Sequence, residues 1–146
     1  MKTIEITYNR QDKKYNWIDD NGVIYSFPAK QKHEAFKFAV SMLEPDLYQA
    51  ATLIIENTPQ IERLVWKAVQ LVTDGKVEIL TNPVNGVVAM VDSSDEFGRY
   101  AITQDVDQKH CNCISFTQYP QYDQHGTIHC KHTLATRLSL VARTDY

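Results

Sequence analysis

An α+β fold is predicted by three features of this 146-residue chain. Its opening stretch places apolar residues at every second position, its middle stretch places them every third or fourth, and the two-residue period then returns before a last helical stripe. In Lys2–Tyr8, Ile4, Ile6 and Tyr8 alternate with Thr3, Glu5 and Thr7, the period of a half-buried strand. Tyr15 and Trp17 repeat it, Asp19-Asp20-Asn21-Gly22 supplies a turn, and Val23, Tyr25 and Phe27 make a third strand. The expectation is a three-stranded meander with an aromatic face.

Helices are expected next. Phe36, Ala39, Val40 and Leu43 keep helical spacing, Pro45 stops or restarts the chain, and Leu47, Ala51 and Ile54 continue in a second short helix. Thr58-Pro59 reads as an N-cap hydroxyl followed by proline at the first helical position. Ile61, Leu64, Val65, Ala68, Leu71 and Val72 form the stripe of a third helix, which Asp74-Gly75 ends with a residue suited to a left-handed cap. Alternation resumes at Val77 and Ile79, with a turn over Asn82–Gly86 and strands at Val87–Val91 and Arg99–Gln104. Leu134, Ala135, Leu138 and Val141 mark a terminal helix. The best boundary divides residues 1–57, a meander with helices, from residues 58–146.

Composition narrows the function classes. Hydrophobic residues at 43% and charged residues at 23% suit a globular domain, not a disordered chain. No apolar run approaches the roughly 18–20 residues needed to cross a bilayer, and the N-terminus lacks a signal-peptide core, so a cytoplasmic location and no membrane partner are expected. Net charge is −3, whereas nucleic-acid binders usually carry a basic excess. Any basic surface must therefore come from folding.

Three cysteines fall within twenty consecutive positions, an odd and clustered count that does not suit a disulfide scaffold. They read Cys111-Asn112-Cys113, sixteen intervening residues, then Cys130-Lys131-His132. Zinc takes thiolate and imidazole ligands in a tetrahedron, and structural sites use four protein ligands with no open position. Each pair supplies two corners, so Cys111, Cys113, Cys130 and His132 are the expected ligands of Zn²⁺. His110, His125 and His129 lie close enough to compete as the fourth ligand. Three thiolates and a neutral imidazole leave a formal charge of −1, which Lys109 and Lys131 are placed to offset.

C-x-C followed by C-x-H, with Cys130-Lys131-His132-Thr133-Leu134-Ala135 opening the last helix, resembles the SWIM zinc finger over about residues 76–143. The resemblance favours His132 as the fourth ligand. It implies a C-terminal zinc-stabilised ββα unit and a link to DNA transactions or to protein–protein contact. The polar stretch between the two pairs is longer than that pattern suggests, and residues 1–57 share no such likeness.

Catalysis finds no support in the residues. His33-Glu34 opens like a zincin helix, but Lys37 stands where a second histidine is required. The His-x-Glu and Cys-x-x-Cys pair of a zinc deaminase is absent. A non-enzymatic module without a small-molecule substrate is expected. For DNA contact the candidates are Lys109, Lys131, Arg137 and Arg143, with Tyr119 and Tyr122 as stacking platforms. DNA is the first expected partner, with the module acting as part of a larger complex, and a partner protein held by a structural finger is the alternative.

Overall fold

The aromatic alternation of the N-terminus builds a three-stranded antiparallel sheet of β1 (Thr7–Asn9), β2 (Lys14–Ile18) and β3 (Ile24–Pro28). The structure, a computed structural model, describes residues 3–92, 98–104, 108–118, 121–122 and 128–143. Register pairs Tyr8 with Tyr15, Tyr15 with Phe27 and Trp17 with Tyr25, which stacks the rings on one face. Phe38 from the following helix meets that face, 4.9 Å from the Tyr25 ring and 6.0 Å from Trp17. β1 is shorter than the alternation from Lys2 suggests. Only Thr7–Asn9 find partners on β2, while Ile4 packs against the main core instead.

Helices α1 (Lys32–Leu43), α2 (Pro45–Asn57) and α3 (Glu62–Thr73) follow, with a single 3-10 turn at Pro59–Ile61. Pro45 takes the first position of α2, where its missing N–H costs nothing. Thr58 does not cap α3 through its hydroxyl, as its sequence position suggests. Its carbonyl accepts the Ile61 N–H to form the 3-10 turn, so α3 begins three residues later. The end of α3 follows expectation. Gly75 adopts φ +70°, its N–H bonds the Val72 carbonyl, and the Lys76 N–H bonds the Leu71 carbonyl, a Schellman arrangement. A Cβ at Gly75 would meet no atom within 4 Å, so alanine there suffers backbone strain alone. Gly75→Ala is expected to cost about 1–2 kcal/mol, read as a lower urea midpoint at unchanged slope. An unmoved midpoint would refute the strain argument.

The second sheet runs in consecutive antiparallel order through β4 (Val77–Val84), β5 (Val87–Asp92), β6 (Arg99–Gln104) and β7 (Lys109–Cys111). The β4–β5 turn is tighter than the five residues the sequence suggests. Asn85 and Gly86 both take positive φ, and Val84 pairs directly with Val87, the geometry of a two-residue hairpin. Pro83 falls where the register shifts between Ile79 and Val84, so no ladder N–H is demanded of it. Past β7 come a short helix α4 (Ile114–Gln118), a two-residue ribbon of β8 (Gln121–Tyr122) with β9 (Ile128–His129), and α5 (Lys131–Arg143).

These elements place α5 centrally. It packs on α3 and α2 and against the second sheet, and residues 132–136 are all buried. A simple amphipathic stripe does not foresee this. Small and hydroxyl residues make it tolerable, because Thr136 Oγ1 donates to the His132 carbonyl and Thr133 Oγ1 to the Cys130 carbonyl, each at 3.0 Å. One hydrophobic cluster joins Val40, Leu47 and Ala51 to Val65, Val69, Leu134 and Leu138, so the segments on either side of residue 57 share a core. Cys111, Cys113 and Cys130 belong to that same cluster.

Candidate metal centre

The ligand-type side chains are set by a strand end and by two helix starts. Cys111 ends the edge strand β7, where its backbone pairs with Ile102 of β6. Cys113 precedes α4. Its sulfur accepts the Phe116 N–H at 3.3 Å, and its carbonyl accepts both the N–H and the hydroxyl of Thr117. Cys130 precedes α5 in the same way, its sulfur accepting the Thr133 N–H at 3.5 Å and its carbonyl the Leu134 N–H at 3.1 Å. Thr133 Oγ1 in turn accepts the Cys130 N–H at 3.1 Å. This is the reciprocal logic of a capping box, with cysteine and threonine in place of the usual pair. His132 sits in the first turn of α5.

The four side chains converge and are all buried, with their ligand atoms within 4.8 Å of one another. Nδ1 of His132 lies 3.7 Å from the Cys111 sulfur and 3.9 Å from that of Cys130. A tetrahedral zinc with bonds of about 2.3 Å to sulfur and about 2.0–2.1 Å to nitrogen needs sulfur–nitrogen edges of about 3.6 Å. The donor set therefore fits a small tetrahedral cation with Nδ1 as the imidazole ligand. Nε2 is buried and has no hydrogen-bond partner among the described residues. The Tyr100 ring covers the imidazole at 4.4 Å between centroids.

Electrostatics reinforces the fit. Cys130 is held down at about 4, first because Cys111 donates its thiol hydrogen to it, with His132 and Thr133 adding further bonds. Cys111 is pushed far up by that same bond and then by burial, and burial is also what raises Cys113. One thiolate is comfortable in this pocket and three are not. A divalent cation removes the conflict, since its charge inverts the local pKa order and binding releases the thiol protons. The four residues can thus hold a metal ion.

No family model, curated protein or solved structure matches this chain. The reading of the site therefore stands on its own geometry.

Among the described residues, the competing histidines His110 and His129 do not join the cluster. His110 turns its ring edge toward Phe116, 5.7 Å between centroids. His129 is buried beside a groove between α2 and α5, and His125 lies outside the described residues. The described residues place only some of the expected nucleic-acid contacts. Lys109 and Lys131 flank the ligands on β7 and α5 and are half-buried. Arg137 is exposed on α5 and lines the α2–α5 groove. Arg143 closes α5 and Tyr122 lies in β8, but their side chains, like the whole of Tyr119, lie outside the described residues. No helix among the described residues is long and apolar enough to cross a membrane.

Sequence reasoning missed Tyr100, Phe116 and Thr133 as parts of this centre. Thr133 had a readable signal, because it stands three residues after Cys130, the spacing of reciprocal N-terminal capping. Tyr100 had none, since its place over the imidazole depends on β6 pairing with β7.

Proposed function

We propose that this chain is a non-enzymatic binding module whose C-terminal part is a SWIM-like ββα unit closed by one structural zinc ion. The convergence of Cys111, Cys113, Cys130 and His132 carries this reading. Zinc is the metal favoured by a tetrahedral set of three thiolates and an imidazole. Four protein donors leave no open position for a reacting water, which marks a structural and not a catalytic site. Purified protein is expected to hold one zinc per chain, with X-ray absorption giving about three sulfur neighbours near ~2.3 Å and one nitrogen near ~2.0–2.1 Å. Substoichiometric metal after gentle purification would overturn the proposal, and an all-sulfur or oxygen-containing shell would overturn the ligand set.

For the partner, a protein is better supported than DNA. Lys131 and Arg137 are six positions apart, so a helix turns them about 120° away from each other. Arg137 instead borders a groove of about 660 Å³ lined by Ala50, Leu53, Ile54, Leu138 and Val141. Leu53 and Val141 are exposed there. An apolar anchor with an acidic group opposite Arg137 is the matching chemistry on a partner protein. DNA keeps the support of Lys109 and Lys131 beside the ligands, and of the family resemblance.

A salt series separates the two readings. Each phosphate neutralised adds roughly −0.9 to the slope of log K against log salt on duplex DNA, or about −0.7 on single strands. If DNA is the partner, Arg137→Ala with Arg143→Ala flattens the slope by about 1.4–1.8 at unchanged zinc content. Under the protein-partner reading, neither DNA form binds in a salt-dependent way even at low ionic strength.

A further inference from the structure

A cleft of about 1050 Å³, lined by none of the four ligand residues, lies between residues 4–7, α1 and α3. Its volume is at the upper end for small-molecule pockets, about 300–1000 Å³. Ile4, Ile6, Phe36 and Trp66 give it an apolar and aromatic lining. Lys32, Lys37, Arg63 and Lys67 line it too, against two carboxylates, Glu5 and Glu62. Four positive and two negative groups make a local excess of +2, in a chain whose net charge is −3.

Those cations differ in what already holds them. Lys37 is committed: its Nζ lies 3.5 Å from Glu34 and 3.7 Å from Glu62, and 5.2 Å from the centre of the Trp66 ring. Lys32, Arg63 and Lys67 have no ion-pair partner among the described residues. Arg63 and Lys67 stand four residues apart on α3, a like-charge spacing that costs the helix a few tenths of a kcal/mol. An anion between them reverses that cost.

Trp66 supplies an independent observation. The residue is buried at 4% exposure, yet its indole Nε1–H has no acceptor among the described residues. Buried donors are normally satisfied, so the orphan indole of a cleft-lining residue marks this wall as incompletely satisfied. His33, whose ring edge faces Trp66 at 6.0 Å, is held below its ordinary range by burial and then by the charge of Lys37.

We infer that this cleft binds a small amphipathic anion, an aromatic or branched apolar body carrying one carboxylate or sulfonate. Its head lies at Arg63 and Lys67, and its body lies over Phe36 and Trp66. The site is independent of the metal centre.

The test uses the full-length, zinc-loaded protein and 8-anilinonaphthalene-1-sulfonate, with N-phenyl-1-naphthylamine as the same body without the charge. Amide and indole resonances are followed by NMR. The chain has two tryptophans, so the two indole N–H signals report the cleft and the meander separately. Saturable one-to-one binding that moves the Trp66 indole and leaves that of Trp17 in place is expected. The neutral analogue should bind at least about tenfold more weakly, and Arg63→Gln with Lys67→Gln should lose about tenfold for the sulfonate. Both substituted residues are exposed and glutamine is a good helix former, so the fold should survive. Lys13→Gln with Lys14→Gln, which removes the same charge elsewhere, should change nothing. Equal affinity for the charged and neutral probes overturns the inference. So does a still Trp66 signal, or shifts centred on the exposed apolar residues of other surfaces.

Discussion

Chelation of the metal is expected to release residues from about Cys111 onward while leaving the N-terminal meander folded. Apparent binding free energies of structural zinc in finger peptides are about 10–16 kcal/mol. That matches or exceeds the whole stability of a typical domain, about 5–15 kcal/mol. The geometry says where the loss falls. Without the cation, three sulfurs and an imidazole share a buried pocket in which only Cys130 ionises readily. β7 is an edge strand of three residues, and α4 is a single short turn whose first N–H groups lean on Cys113. Beyond the cysteines, β7 has only its ladder to β6 and its packing on α5, and α4 little more than the buried ring of Phe116. α5 loses its capping cysteine as an anchor, and Leu134 and Leu138 loosen against α2 and α3. β1–β3 with Phe38 of α1 form an aromatic cluster of their own and should keep their protection. Hydrogen exchange on chelated protein reads this directly. Protection should vanish over residues 109–118 and 128–143, weaken in α2 and α3, and persist in residues 14–28. Uniform loss from residue 3 to residue 75 would refute the modular picture, and undiminished protection everywhere would refute a structural metal.

The contrast between what was legible in the sequence and what was not has a physical pattern. Cys111, Cys113, Cys130 and His132 were readable because metal chemistry restricts residue type and spacing so tightly. The three helices and the alternating strands were readable because burial on one side imprints a period. The end of α3 was readable because Gly75 alone tolerates the required φ of +70° at low cost. Features that depend on long-range pairing were not readable. β7 is three residues in a polar stretch and exists because β6 offers it a ladder. The β4–β5 turn closed at Asn85-Gly86, not across five residues, because Val84 and Val87 pair. α4 hides inside what reads as a polar loop, and its start depends on a cysteine acting as a hydrogen-bond acceptor. The dispersal of Lys131 and Arg137 was available from helix geometry alone, but the groove that receives Arg137 required the docking of α5 on α2.

Truncating Leu134 to alanine is expected to destabilise the protein by about 2–5 kcal/mol, the range for a fully buried leucine, while the bound metal is retained. Leu134 is completely buried in α5, two residues from His132, in the cluster that joins α5 to α3 and the second sheet. Its neighbours Ala135 and Thr136 are small and already in close contact with their surroundings, so little side-chain volume is available to fill the space left behind. The cost should fall toward the upper part of that range for this reason. Metal retention follows from a separate argument. The Cys130 backbone and sulfur are held by Thr133 and by the Leu134 backbone N–H, and His132 by the ring of Tyr100, contacts that truncating the Leu134 side chain leaves in place. The measurements are urea unfolding of the metal-loaded variant and metal content in the native baseline. A loss below about 1 kcal/mol would mean that α5 is not the buried central helix described. Loss of the metal under native conditions would mean that core packing, and not the local caps, positions His132. Comparison with Cys113→Ser then divides the two sources of stability. That variant should lose the metal and unfold the segment around α4 and α5, whereas Leu134→Ala should weaken the core without releasing the metal. The two effects should not add, because both act through α5, and neighbouring substitutions that share an element are coupled.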